Sequence, residues 1–167
     1  IQRSERLVML LHGVGGSRES WSDALSGTGS ALAEAGLCAV AVDLPGYGHS
    51  PLPPHYDMQA MTALVLETLW SLPRHCAAKM VLVGHSMGSL IAVEAAARAP
   101  ALIGRLVMVG TAYPMKVSEA LLGTSAQAPL KAIDMVNSFS ISTLAAKPSY
   151  PGPGMWLHGS NRALMRR

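Results

Sequence analysis

Four short apolar runs punctuate the chain. Leu7–Leu11 (LVMLL) ends in His-Gly, Leu37–Val42 (LCAVAV) ends in Asp43, Met80–Val83 (MVLV) ends in Gly84, and Leu106–Val109 (LVMV) ends in Gly110. Runs this short, apolar on both faces, predict strands buried on both sides of a parallel sheet. Helical stretches are expected between them. Ser17–Ala35 stops at Gly36 and is divided by Gly27 and Gly29. Asp57 is placed to cap a helix with Met61, Leu64, Val65 and Leu69 on one face. Met87–Arg98 is Ala-rich and stops before Pro100. This alternation predicts an α/β fold with an open, mostly parallel sheet, flanking helices and right-handed crossovers. The expected strand order is second, first, third, fourth.

The rhythm changes after Gly110. Tyr113–Arg167 carries no strand pattern, only helical pieces starting near Pro129 and Ser160 around the turn-forming Lys147–Gly154 (KPSYPGPG). The glycines in that segment argue against a polyproline ligand. Residues 1–112 are therefore read as a partial α/β core and 113–167 as the start of a helical lid. There are no internal repeats.

Composition narrows the class. Half the 167 residues are hydrophobic and 14% are charged, the reverse of a disordered chain. The net charge of +3 is no larger than the contribution of Arg162, Arg166 and Arg167, so no basic patch points to nucleic acid or an anionic membrane. No apolar run reaches the ~18 residues of a membrane span, and no signal-peptide pattern opens the sequence. A cytoplasmic location is the expectation, although residue 1 is Ile rather than Met. Cys38 and Cys76 form no CxxC motif and read as buried free thiols. No His/Asp/Glu/Cys cluster has metal-ligand spacing, so neither metal nor cofactor is expected.

The chemistry concentrates at three strand ends. Gly84-His85-Ser86-Met87-Gly88 fits G-x-S-x-G, with a strand before it and a helix after it. A serine on that turn is pushed out above the sheet, the turn requires small neighbours at 84 and 88, and the helix directs its free N–H groups at the serine. His12-Gly13-Val14-Gly15-Gly16 follows the first strand, and in the expected strand order lies beside Ser86 where the winding direction changes. The N–H groups of Val14 and Met87 can then converge on one oxygen as an oxyanion hole. A phosphate loop is excluded because neither Gly-Lys-Ser/Thr nor G-x-G-x-x-G is present here. Asp43-Leu44-Pro45-Gly46-Tyr47-Gly48-His49-Ser50 forms tight turns after the second strand, with Asp43 and His49 read as hydrogen bonders that hold the loop. His85, adjacent to Ser86, reads as a packed neighbour rather than a base.

HGVGG, DLPGYGHS and GHSMGS, in this order and spacing, resemble the α/β-hydrolase fold family, in particular its lid-bearing serine hydrolases. The resemblance is tight from Leu7 to Gly110 and loose beyond. It implies Ser86 as nucleophile, Met87 and Val14 as oxyanion donors, and a lid from Tyr113 onward. Serine rather than aspartate at 86 disfavours the dehalogenase and epoxide-hydrolase branches.

A serine needs a base, and the base an orienting carboxylate. The family's chain order is Ser, acid, His. After Ser86 the candidates are Glu94, Glu119, Asp134 and a lone histidine, His158, none of them after a predicted strand. The expectation is therefore a fragment of a hydrolase cut at both ends, with the acid and His elsewhere. The leading function is cleavage of an ester, thioester or related acyl bond. C–C hydrolysis and cofactor-free perhydrolysis stay open within the class. Met115, Met135, Met155, Met165, Phe139 and Trp156 suit either an apolar acyl substrate or simple packing. The alternatives are a non-catalytic small-molecule-binding module on the same fold and a piece inactive by itself.

Overall fold

The computed structural model describes residues 6–21, 31–53, 57–72, 79–140 and Met165. The helix break expected at Gly27 and Gly29, Cys76, the turn segment Lys147–Gly154, and Met155, Trp156 and His158 lie outside the described residues, as does most of the helix expected near Ser160. Four strands form one sheet: β1 (Arg6–Leu11), β2 (Leu37–Val42), β3 (Met80–His85) and β4 (Ile103–Val109). Their order is β2-β1-β3-β4, and every pair is parallel. In register, Met9 faces Val40 and Leu82, which places the first strand at the centre.

Residues 6–112 carry the sheet and its helices, and the chain divides into two compact units at Ala112 and Tyr113. In the first, α1 (Ala31–Glu34) precedes β2, α2 (Met58–Ser71) precedes β3, and α3 (Met87–Arg98) joins β3 to β4. The stretch after Ser17 opens not as an α-helix but as a 3-10 turn, Arg18–Trp21. Asp57 caps α2 as expected, accepting from Gln59 N–H at 3.0 Å. Its buried face is Met61, Thr62, Val65, Leu66 and Leu69. Leu66 thus takes the place expected for Leu64, which is half-buried, because the helix turns its 61/65/69 row and the adjacent 62/66 row to the core together. On α3 the row Gly88, Ile91, Ala92, Ala95 faces inward, at the i, i+3, i+4, i+7 spacing of one face. Small residues there let α3 lie close against β1, β3, β4 and α2.

The core is Met9, Leu11, Leu44, Met61, Val65, Leu66, Leu69, Leu82, Ile91, Ala92, Ala95 and Ile103. Three strands depart from the expectation of burial on both faces. β3, though paired on both edges, is buried only at Leu82 and Gly84. β2 is half-buried throughout. β4 is buried only at Ile103, and Gly104 to Val109 are exposed. β2 and β4 are the two edges of the sheet, so each lacks a strand neighbour on one side among the described residues. An apolar run makes a strand; the number of layers around it makes the burial.

The second unit, residues 113–167, contains α4 (Glu119–Gln127) and α5 (Pro129–Ser140). Ser118 caps α4, accepting from Leu121 N–H at 3.2 Å. Pro129 opens α5, at a position where its missing N–H costs nothing. Within this unit α4 packs against α5, and Ala132 and Asn137 are buried. Among the described residues no helix is long and apolar enough to cross a membrane.

Candidate active site

The loops after β1, β2 and β3 and the end of β4 supply the residues that the sequence singled out. Ser86 follows β3 directly and is the N-cap of α3, with φ 52° and ψ −120°. It is the only non-glycine residue with positive φ among the described residues. A side chain in that region of backbone space is strained, and such strain gathers at functional sites. The surroundings hold the strain in place. Ser86 N–H donates to Val109 O at 2.9 Å, extending the β3–β4 ladder by one step. Ser86 O accepts from Ser89 N–H at 2.9 Å and from Ser89 Oγ at 2.5 Å. Ser89 is fully buried.

Gly84 and Gly88 are required by close approach. A Cβ on Gly84 would run into the Gly88 carbonyl, and one on Gly88 would run into Leu11 O and stand 2.6 Å from His12 O. Any larger side chain would force α3 away from β1. Gly13 is similar: its Cβ would stand 2.9 Å from His85 Nδ1 and 3.0 Å from Ser86 Cβ. The loop after β1 therefore touches the turn that carries Ser86. Val14 sits in that loop, 59% exposed, and Met87 is the first residue of α3. His85 is exposed at the end of β3, with its ring near both Gly13 and Gly110.

His12 is 1% exposed, and both ring nitrogens are engaged. Nδ1 lies 2.8 Å from Gly13 O, and Leu44 N–H donates to Nε2 at 3.1 Å. A carbonyl accepts and an N–H donates, so Nδ1 carries the proton and Nε2 is bare. Burial pushes the His12 pKa down; the bond to Gly13 and the charge of Asp43 oppose this, His85 adds to it, and the net result is a pKa lowered from the usual 6.5. The Tyr47 ring packs edge-on against it, 5.2 Å between centroids.

Asp43 ties the loop after β2 to the turn after β1. Its Oδ1 accepts from Arg18 N–H at 2.6 Å and its Oδ2 from His49 N–H at 3.0 Å, and Arg18 Nε is 3.8 Å away. Burial pushes this carboxyl up, but the two N–H donors, the Arg18 guanidinium and His12 outweigh it and hold the pKa below its usual value. Gly48, at φ +55°, lies against the carboxylate with no room for a Cβ. The loop-holding roles expected for Asp43 and His49 need one correction. His49 acts through its backbone N–H, and its side chain is exposed, because the turn aims the peptide group, not the imidazole, at Asp43.

Two contributors were not legible in the sequence as such. Arg18 follows no motif. The strut formed by His12 depends on a bond to Leu44, 32 positions away. A histidine directly after a buried strand and before Gly was the available signal.

A parallel sheet with a strained serine between strand and helix, faced by a glycine loop from the neighbouring strand, defines the class. The chain belongs to the α/β hydrolase fold family, whose model matches residues 6–143. It is 40% identical over 104 residues to esterase Rv0045c of Mycobacterium tuberculosis, covering 61% of this chain and 32% of that protein. It is 31% identical over 126 residues to epoxide hydrolase 4 of Mus musculus, covering 75% of this chain and 34% of that protein. A solved thermophilic esterase superposes with a TM-score of 0.72 at 25% identity, over 97% of this chain and 55% of that one. The chain thus spans about a third of the length of these curated relatives.

Proposed function

We propose that this chain carries the nucleophile of a serine hydrolase that cleaves an ester, thioester or related acyl bond. The observation that supports this most is Ser86, held at φ 52° on a turn in contact with the Gly13 loop. Ser86 Oγ attacks the carbonyl carbon, and the Val14 and Met87 N–H groups receive the charge that develops on the carbonyl oxygen. The alcohol or thiol leaves, and water then releases the acid from the acyl-serine. Donors that act on developing charge accelerate the chemistry rather than the binding. His12 is not the base in this reading, because Gly13 O and Leu44 N–H already occupy its two nitrogens. An esterase relative and an epoxide hydrolase relative are both similar to this chain. A serine at 86 favours acyl transfer, since its adduct is an ester that water can open. The helical unit from Tyr113 is read as the lid that selects the acyl group.

The test uses the full protein that contains this chain. A fluorophosphonate is expected to form one covalent adduct, on the peptide carrying Ser86. Ser86→Ala is expected to abolish that adduct and to lower p-nitrophenyl ester hydrolysis by at least about 10³-fold. Ester hydrolysis unchanged in Ser86→Ala overturns Ser86 as the nucleophile; no adduct and no hydrolysis by the full protein overturns the reading and leaves a binding module on the same fold.

A further inference from the structure

His12 is the most enclosed titratable side chain described, and the reaction outlined above gives it no step. Its bonds nevertheless converge on the proposed oxyanion loop. Gly13 O, which accepts from His12 Nδ1, also accepts from Gly16 N–H at 3.1 Å and so closes the turn that contains Val14. Leu44 N–H, bound to Nε2, begins the loop after β2. The His12 carbonyl lies against Gly88 on α3. One imidazole therefore joins the loops after β1 and β2 beside the turn of Ser86.

We infer that His12 is a positioning residue that works only in its neutral, Nδ1-protonated form, holding the Gly13–Gly16 turn so that Val14 N–H faces the reacting carbonyl. This rests on the serine-hydrolase reading. A proton added to His12 goes to Nε2, which then opposes Leu44 N–H, donor against donor, inside a site 1% exposed. The bond to the β2 loop breaks, and the turn loses its fixed side. The charged and titratable groups facing His12 are Asp43 at the end of β2, His85 at the end of β3, and Tyr47, whose ring packs against it. Asp43 is itself engaged by Arg18 and His49 N–H. Acid should therefore reduce turnover through this histidine separately from any effect on the catalytic base.

Three measurements on the full protein test this. The first is the nitrogen resonances of the His12 imidazole, read at neutral pH. A protonated Nδ1 and bare Nε2 are expected; the opposite tautomer, or a doubly protonated ring, overturns the proposal whether or not Ser86 is the nucleophile. The second is H12F, which fills the space without the bonds. A kcat lower by about 10²-fold with KM nearly unchanged is expected, as for loss of an oxyanion donor. An unchanged kcat overturns the proposal. The third is H12Q, whose carbonyl can accept from Leu44 N–H and whose group does not titrate. It is expected to restore most of the kcat lost in H12F. Its acid limb is expected to fall with one proton fewer than that of the wild type. Identical acid limbs in H12Q and wild type overturn the proposal, and this comparison remains available if H12F fails to fold. Ser86→Ala that keeps full activity, with the expected His12 tautomer, marks failure of the Ser86-nucleophile reading instead.

Discussion

β1 and β4 are built from nearly the same residues and meet opposite fates. Leu7–Leu11 reads LVMLL and is 0–5% exposed, while Leu106–Val109 reads LVMV and is 36–51% exposed. β1 pairs on both edges, with β2 and β3, and its side chains enter the core with α2 and α3. β4 pairs with β3, and its far edge has no strand among the described residues. An open apolar edge of this kind is a template for another strand. The functional turn sits between the two. Ser86 N–H is anchored to the end of β4, while the glycines around it are shaped by the end of β1. The buried strand supplies the rigid reference, and the exposed strand supplies one hydrogen bond.

The largest expected effect separates the strands directly. Leu11→Ala leaves a cavity in the core and is expected to cost about 2–5 kcal/mol, read as a lower urea midpoint at unchanged slope. Met108→Ala on β4 is expected to stay within about 0.5 kcal/mol. Equal losses would show that β4 is as enclosed as β1, and the contrast would fail.

A smaller effect probes the junction of β1 with α3. Gly88→Ala places a methyl against Leu11 O and His12 O, and about 1–3 kcal/mol of destabilisation is expected from the overpacking. A Cβ on Gly104 at the start of β4 would stand 2.5 Å from Lys79 Cβ, which is fixed to its backbone, so a loss is expected for Gly104→Ala too. Gly123→Ala on α4, with nothing within 4 Å, is expected to lose nothing in the same urea titration. A Gly88→Ala protein as stable as the wild type would mean that the close approach does not constrain the turn.

The smallest effect concerns the loops rather than the strands, and acid reveals it. The His12 pKa is lowered on folding, so the unfolded chain binds more protons below 6.5. Its contribution is fully present above that value and is lost as the pH falls toward the lowered folded pKa. Asp43 is also lowered, from 3.8, so its contribution is present above 3.8 and lost as the pH falls through its folded pKa. Thermal melts across this range should show two successive losses. Asp43→Asn should remove the lower one, draw the upper one further toward acid because the Asp43 charge no longer raises the His12 pKa, and cost about 1–2 kcal/mol at neutral pH through weakened charge-assisted bonds. A low-pH loss that survives Asp43→Asn would assign it to other carboxyls.

Local pattern determined a good deal of this protein. The four strands, the Asp57 cap, the α3 helix and its stop at Pro100 follow from interactions within a few residues, and those are written in the chain order. The order β2-β1-β3-β4 also followed, because crossover handedness and motif placement leave few alternatives. The three glycine-rich motifs located the candidate site for the same reason: tight turns need glycine wherever they occur. Tertiary structure alone decided the exposure of β4, the exchange of Leu64 for Leu66 on α2, the use of the His49 N–H rather than its ring, and the bond from His12 to Leu44. Each depends on what lies across space from a residue. A side chain's burial, its hydrogen-bond partner and its protonation state are set by groups dozens of positions away, and no local period encodes them.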